Sequence, residues 1–267
     1  MAFEVFVQAI KDKYKGAIII AVILFLYVFW IGSFFPSIKP MMGMYDEMLS
    51  NPTFKALIGE LSSMGTFSGF ISAEVFSYMG IVLGAYIAFL TASFVAGEIE
   101  QKSSELMLSL PVSRVRVILS RFATLLPIIV VLVIAMLLGI VAGAGYVGES
   151  IDTTKFAYAM VVMAAFMLAV GGGSLLLSAL MSNGRNAAFA AIGVLLAMFL
   201  VENIGSMVTS IDWARRLSLF HYARVAGFIS DPSAQFSWTN CGILLAVAIV
   251  LLALAVIVYQ RRDINVT

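Results

Sequence analysis

The charged residues of this chain are few, and six of them lie in residues 97–116. This segment, GEIEQKSSELMLSLPVSRVR, stands between two long apolar stretches, residues 81–96 and 117–143. An ionised group at the centre of a bilayer costs several kcal/mol, so a charged segment between two membrane spans must lie in water. Carboxylates and guanidiniums in that position can form ion pairs with a partner protein, and this is the chemistry that the segment offers.

The same segment has the pattern of a short amphipathic helix. Glu98 and Lys102 form a supportive i,i+4 pair, and apolar residues recur near the helical period. These apolar positions are Ile99, Leu106, Met107 and Leu110. Pro111 then ends the helix, because the residue before a proline is pushed out of the α region. The pattern predicts a helix along the membrane surface, followed by a sharp turn.

Three segments, in this order along the chain, resemble the ABC type 2 (ABC-2) transporter permeases. Residues 98–114 resemble the family's coupling helix, with its acidic helix, its Ser-Leu/Met-Pro turn and its Ser-Arg step. Residues 218–222, SLFHY, resemble the family's S-P-F-x-Y segment before the last span, with Leu219 where the family has proline. Residues 260–264, QRRDI, resemble its R-R-D ending.

The resemblance implies the permease subunit of an ATP-binding cassette transporter, with many relatives being exporters. Such a subunit pairs with a second permease copy, expected as a homodimer, and with two ABC ATPase subunits that bind ATP and Mg. No cofactor, catalytic residue or metal ligand is then expected in this chain. The residues implied in coupling to the ATPase are Glu98, Glu100, Glu105, Leu106, Pro111 and Arg114.

Composition alone already indicates a membrane protein. Of the 267 residues, 62% are hydrophobic and 12% charged, against about 45–50% and about 25% in soluble domains. The net charge of +1 gives no sign of nucleic-acid binding. The sequence has no GxxxxGK[ST] motif, so no ATPase is expected in this polypeptide. Nothing resembles a linker, and we expect one transmembrane domain over residues 1–267.

Six apolar runs predict an all-α membrane protein with six transmembrane helices. Each run can cross a hydrocarbon core of about 30 Å at about 1.5 Å per residue, and the first is too long for a signal peptide. Ahead of the first run, Phe3, Phe6, Val7 and Ile10 share one face of a helix. This pattern predicts an amphipathic N-terminal interface helix on the membrane surface. The predicted spans are residues 17–35, 74–96, 117–143, 156–181, 187–208 and 240–259.

Basic residues predict the side of the membrane that each loop faces. With both termini in the cytoplasm, ten of the sixteen Lys and Arg residues lie on the inner side and six on the outer side. An inner excess is the expected bias in the cell membrane, although Arg215, Arg216 and Arg224 run against it. This topology places residues 97–116 in the cytoplasm, as a coupling helix between the second and third spans.

The few polar residues near the spans have structural interpretations. Glu74 is expected at the outer mouth of the second span and Glu202 near the outer end of the fifth, where water reaches it. A metal site needs several ligands, and His221 is a single histidine, so a hydrogen-bonded structural role is expected for it. Residues 171–173, Gly-Gly-Gly, are expected to let helices pack closely. Residues 210–239 predict a broken or re-entrant outer helix, and whether any of these polar groups lines a pathway stays open.

The permease interpretation competes with other classes of function. A secondary transporter or channel is disfavoured because the spans show no internal repeat and mid-membrane charges are scarce. An intramembrane enzyme is disfavoured because the sequence has no HExxH motif, no serine–histidine pair and no acidic pair within the spans. A membrane scaffold without ATPase coupling stays open. The substrate is not readable from the apolar lining, and the direction of transport is implied by the resemblance alone.

Overall fold

The computed structural model describes residues 2–40, 65–92, 94, 96, 113–230 and 236–261. Over these residues the chain forms helices and no strand, as expected for an all-α protein. The α-helices are α1 Ala2–Ser33, α2 Phe67–Ile71, α3 Ser77–Ala92, α4 Arg114–Ala123, α5 Leu125–Val147, α6 Thr153–Leu180, α7 Gly184–Met207, α8 Asp212–Arg215, α9 Leu219–Ala223, α10 Ala226–Ser230 and α11 Trp238–Arg261. A π-helix, Ser72–Phe76, joins α2 to α3, and a 3-10 helix, Thr209–Ile211, follows α7.

Six helical segments of the described chain are long and apolar enough to cross a membrane, as predicted. They are Lys13–Pro40 (span 1), Phe67–Ala92 (span 2), Arg114–Val147 (span 3), Thr153–Leu180 (span 4), Gly184–Met207 (span 5) and Trp238–Arg261 (span 6). The predicted start of span 2 at Glu74 is wrong, because the helix begins seven residues earlier. Ser68 and Gly69 make this part of the sequence less apolar than the rest of the span. Phe67, Phe70 and Ile71 are nevertheless buried and hold the helix in the bundle.

The N-terminal interface segment and span 1 belong to one helix. Helix α1 begins at Ala2 and continues without interruption to Ser33. The residues predicted to lie at the interface therefore extend span 1 rather than form a separate element.

Span 3 is divided into α4 and α5 at Thr124. Pro127 has no N–H to offer the carbonyl of Ala123, four residues earlier, and its ring crowds that carbonyl. The Thr124 hydroxyl instead donates to the carbonyl oxygen of Arg121 at 2.6 Å. The interruption that a proline introduces into a membrane helix is thus present just ahead of Pro127.

Span 4 is the centre of the bundle. In the most apolar stretch of this span, 67% of the residues are buried, whereas the corresponding share in spans 1, 5 and 6 is 22–28%. A Cβ atom added at Gly171 would lie 2.5 Å from Leu125 of span 3, and one at Gly172 would lie 3.0 Å from the carbonyl oxygen of Ala248 in span 6. The prediction that this glycine run serves close packing is confirmed.

Contacts between span ends identify the two sides of the bundle. On one side, the Ser178 hydroxyl at the end of span 4 donates to the carbonyl oxygen of Ala92, the last residue of span 2, at 2.7 Å. Because residues 97–112 leave from here, we name it the hinge side. On the opposite side, Lys39 at the end of span 1 pairs with Glu149 after span 3 at 2.5 Å. We name that the re-entrant side.

Spans 1 and 3 meet at Gly139, which generates a test of the packing. A Cβ atom there would lie 2.9 Å from the backbone oxygen of Phe25 and 3.0 Å from Cβ of Val28, whereas one at Gly145, in the same helix, would meet nothing within 4 Å. We expect Gly139→Ala to lower the melting temperature of the purified chain, because overpacking costs about 1–3 kcal/mol. Gly145→Ala is the matched control and should leave it unchanged or slightly raised. Equal melting temperatures for the two variants would contradict the close contact.

Candidate functional site

The chain does not cross directly from span 5 to span 6 but first turns back into the bundle. We name residues 209–230, which contain α8, α9 and α10, the re-entrant segment. The ring of Phe220 lies 4.9 Å from the ring of Phe166, which is halfway along span 4. A Cβ atom at Gly80, near the middle of span 2, would lie 3.2 Å from Phe220. Helix α9 therefore reaches the middle of the bundle, which confirms the predicted re-entrant helix.

Local hydrogen bonds explain why α9 forms at this position. Ser218 caps it, since its side chain accepts from the backbone N–H of Phe220 at 3.2 Å. The same hydroxyl donates to the carbonyl oxygen of Met198 in span 5 at 2.9 Å. The Tyr222 hydroxyl donates to the carbonyl oxygen of Arg216 at 2.9 Å and closes the turn that precedes the helix. In the S-x-F-x-Y pattern, Ser218 thus caps the helix, Phe220 inserts its ring into the bundle, and Tyr222 stabilises the preceding turn.

A buried carboxylate of span 5 holds the re-entrant segment. Glu202 is 7% exposed, and its Oε1 accepts hydrogen bonds from Nη2 of Arg215 at 2.7 Å and from Nε at 3.2 Å. Arg215 also donates to Asp212 at 2.8 Å. These hydrogen bonds, to Glu202 first and then to Asp212, raise the pKa of Arg215 above its ordinary value. The prediction of ready contact between Glu202 and water needs correction, because the re-entrant segment folds back over this end of span 5 and buries most of the side chain.

Two further basic side chains of the re-entrant segment approach the same carboxylate. Nη1 of Arg224 lies 3.8 Å from Oε1, and Nδ1 of His221 lies 3.6 Å from Oε2. Both Oε2 and Nδ1 are buried and have no hydrogen-bond partner among the described residues. The hydrogen bond expected for His221 is therefore not made at Nδ1. The imidazole ring instead packs edge-on against Tyr222.

This cluster was not predicted, although the sequence carried a signal for it. The arginines of residues 215–224 run against the inner excess of basic residues, and the nearby Glu202 stands alone in an apolar span. Charges within membrane proteins usually pair with one another. An unpaired acid followed by a basic cluster 13 to 22 residues later indicates such pairing.

Span 2 contributes an irregular turn to the same region. Its π-helix, Ser72–Phe76, lies beside the re-entrant segment, and the Ser72 hydroxyl donates to the carbonyl oxygen of Ala226 at 3.0 Å. Glu74 lies within this π-helix and is half-buried, so its predicted place at the mouth of the span is wrong. Single π-helical turns in longer helices are frequent at functional sites.

A cavity of about 130 Å³ lies between the re-entrant segment and spans 2, 4 and 5. We name it the re-entrant cavity. Its lining residues are Phe76, Ser77, Gly80, Met163, Phe199, Glu202, Asn203, Ser206, Phe220, Ala223, Arg224, Val225 and Ala226. It joins aromatic walls to a polar wall on span 5 and to the buried carboxylate cluster.

Of the residues predicted to couple to an ATPase, the structure describes Arg114. Its Nη1 donates long hydrogen bonds to the carbonyl oxygens of Gln260 at 3.4 Å and Tyr259 at 3.5 Å, at the end of span 6. A cation is favourable there because the C-terminus of a helix carries partial negative charge. The other predicted coupling residues lie outside the described residues: Glu98, Glu100, Glu105, Leu106 and Pro111.

Comparison with known proteins gives one match over nearly the whole length. The model of the family described as "Multidrug efflux system permease Rv1217c, C-terminal domain" matches residues 9–260. The matched residues include spans 1 to 5 in full and the re-entrant segment. A comparison with curated proteins finds no match.

The buried pair generates a test on the mobility of the re-entrant segment. Glu202→Gln keeps the shape of the side chain but replaces a charged acceptor by a neutral one, and a hydrogen bond to a charged group contributes about 1.5–3 kcal/mol. At about 2 kcal/mol, amide hydrogen exchange in residues 209–230 should become about 30-fold faster.

The control for this test is Asp212→Asn. Asp212 also bonds Arg215, but its side chain is 56% exposed, and exposed ion pairs contribute only about 0–1 kcal/mol. Exchange that responds equally to both substitutions, or to neither, would contradict the role of the buried carboxylate.

Proposed function

The chain belongs to the multidrug efflux system permease family Rv1217c, C-terminal domain, and we propose that it is the membrane-spanning subunit of an ATP-driven exporter. In this proposal it is an ABC-2-type permease of the cell membrane that pairs with a second copy as a homodimer. Two copies of a separate ATPase bind ATP and Mg and dock on residues 97–112. Both termini and the hinge side face the cytoplasm. Export as the direction of transport is supported by the efflux function in the family's description.

The observation that carries this proposal is how the two ends of residues 97–112 are attached. At one end, the Ser178 hydroxyl of span 4 donates to the carbonyl oxygen of Ala92 and accepts from the backbone N–H of Ala96 at 3.0 Å. At the other end, Arg114 is bonded to the last carbonyls of span 6. A partner that moves this segment therefore pulls on spans 4 and 6.

Spans 4 and 6 can carry such a movement across the membrane. They pack backbone to backbone at Gly172 and Ala248, and closely packed helices move together rather than deform. Span 4 then contacts the re-entrant segment through Phe166 and Phe220. A displacement on the hinge side is thereby transmitted to the segment that Glu202 holds on the opposite side.

Polar side chains on an open face support transport over a purely structural role. Ser77, Asn203 and Ser206 line the re-entrant cavity and are exposed in the single chain. Polar side chains are disfavoured against lipid tails and are found facing the interior of a bundle or a water-filled cavity. This face therefore suits a pathway for a substrate or the surface of a second copy.

Coupling is tested by reversing charge in the proposed docking segment. Glu105→Arg should weaken co-purification with the ATPase and abolish stimulation of ATP hydrolysis by the permease, because it adds repulsion to the loss of an ion pair. Pro111→Ala should act similarly by letting the helix continue into span 3. Glu149→Arg is the control, since it makes the same charge change on the re-entrant side, in an exposed pair of small energy.

All three variants should insert and fold, because no span is altered. If Glu105→Arg and Pro111→Ala bind the ATPase and transport as the unaltered chain does, residues 97–112 are an ordinary solvated loop. A secondary transporter or a scaffold then remains, and neither would co-purify an ATPase.

The orientation is tested by labelling single cysteines in cells. Cys241 is 4% exposed, so the unaltered chain should react little with a membrane-impermeant maleimide. Ser104→Cys should react only after the membrane is opened, and Asp152→Cys should react in intact cells. Labelling of Ser104→Cys in intact cells would contradict a cytoplasmic hinge side.

A further inference from the structure

The polar wall of the re-entrant cavity presents hydrogen-bond acceptors. The side-chain amide nitrogen of Asn203 donates to the carbonyl oxygen of Phe199 at 2.8 Å, and the Ser206 hydroxyl donates to that of Asn203 at 2.7 Å. Both of these donors face the backbone of span 5. Oδ1 of Asn203 and the lone pairs of Ser206 Oγ are therefore turned away from it. The second N–H of the Asn203 amide also stays open to a ligand, so a group that both donates and accepts a hydrogen bond, such as a hydroxyl, suits this wall.

Among the described residues, charges of both signs lie at the cavity, so an ionic head group of either sign would meet a like charge there. Glu202 and Asp212 carry two negative charges, and Arg215 and Arg224 carry two positive ones. A cationic head entering the cavity would meet the guanidinium of Arg224, which lines it. An anionic head would meet the acceptor oxygens of span 5 and the carboxylate of Glu202. An uncharged donor, such as a hydroxyl group, avoids both repulsions.

The remaining walls suit an apolar chain. Phe220 and Phe199 pack with ring centroids 5.3 Å apart, and Phe76 and Met163 are buried beside them in the lining. Apolar area removed from water on these walls contributes about 25 cal/mol per Å². Large aromatic surfaces and a short polar edge together select an amphiphile.

The size of the cavity limits how much of that amphiphile it encloses. At about 130 Å³ it is smaller than usual small-molecule pockets, which begin at about 300 Å³. The exposed residues Ser77, Asn203 and Ser206 mark its open side. A head group and the first part of a chain account for this volume, and the rest of the chain lies outside the cavity.

We propose that the re-entrant cavity binds an uncharged amphiphile with a hydroxyl-bearing head. Its hydroxyl groups donate to Oδ1 of Asn203 and to Oγ of Ser206, and the first carbons of its chain lie against Phe199 and Phe220. That this ligand is also transported rests on the function proposed above, whereas its binding to the cavity does not.

The test uses the purified full chain in phosphatidylcholine nanodiscs, without any ATPase. The probe is a ten-carbon monoacylglycerol with a diazirine near the start of the chain, and mass spectrometry locates the cross-links. We expect them at the cavity walls, around Met163, Phe199 and Phe220. Unlabelled ten-carbon monoacylglycerol should suppress them, and equal amounts of decylamine or decanoate should not.

Two variants and a control assign the hydrogen bonds. Ser206→Ala and Asn203→Leu should each weaken the probe's binding about threefold to tenfold, the effect of one hydrogen bond of typical strength. Ser210→Ala removes an exposed hydroxyl from the same side but outside the cavity, and it should change nothing. Two independent variants keep the test decisive if one of them fails to fold.

Three results would overturn the inference: cross-links spread evenly over lipid-facing residues, competition by decylamine or decanoate as strong as by the monoacylglycerol, or binding that neither variant weakens. Because no ATPase is present, the failure of the transport proposal would leave the labelling intact. Conversely, ATP-driven transport by a chain whose cavity takes no label would refute this inference alone.

Discussion

The ion pair between Glu202 and Arg215 is the interaction on which the re-entrant side of this protein depends. An ionised carboxylate in an apolar bundle is unfavourable unless a partner and hydrogen bonds compensate for the lost water. Glu202 is 7% exposed, and Arg215 supplies two hydrogen bonds to one of its oxygens. The partner belongs to a segment that would otherwise lie on the surface. The pair therefore keeps that segment folded into the bundle, where Phe220 fills the space beside span 4.

The same cluster leaves two buried polar atoms without hydrogen bonds among the described residues. Glu202 Oε2 and His221 Nδ1 face each other at 3.6 Å, buried and without hydrogen-bond partners among the described residues. A buried polar group without a partner costs about 1–3 kcal/mol. Such groups stabilise the conformation seen here less than a fully bonded cluster would. The pair with Arg215 is thus the main polar contact of Glu202, while the hydrogen bonds of Ser218 to Met198 and of Ser72 to Ala226 join the segment to spans 5 and 2.

The sequence predicted the parts of this structure that depend on the bilayer. Six apolar runs became six spans, because only a helix satisfies its own backbone across a hydrocarbon core. The re-entrant segment was predicted from its mixed polarity, and the packing role of residues 171–173 from the absence of side chains.

The sequence failed where contacts between distant residues decide the outcome. The position of Glu202 near the end of a span predicted contact with water, and the basic residues 215–224 were interpreted only as an exception to the inner excess and not as partners of Glu202. Glu74 marked the edge of an apolar run, yet Phe67 and Phe70 extend the helix beyond it because they find buried places in the bundle. The coupling residues were predicted from their resemblance to a family, and of these only Arg114 belongs to the described chain.

A double-mutant cycle on Glu202→Gln and Arg215→Gln tests the central claim most directly. The free energy of opening of residues 209–230 would be measured by hydrogen exchange for both single variants and the double variant. If the two side chains act as one buried pair, the double variant should lose about 1–3 kcal/mol less than the sum of the single variants, the coupling found for residues in direct contact. Additive effects, within about 0.5 kcal/mol, would contradict the claim that this pair holds the re-entrant segment in the bundle.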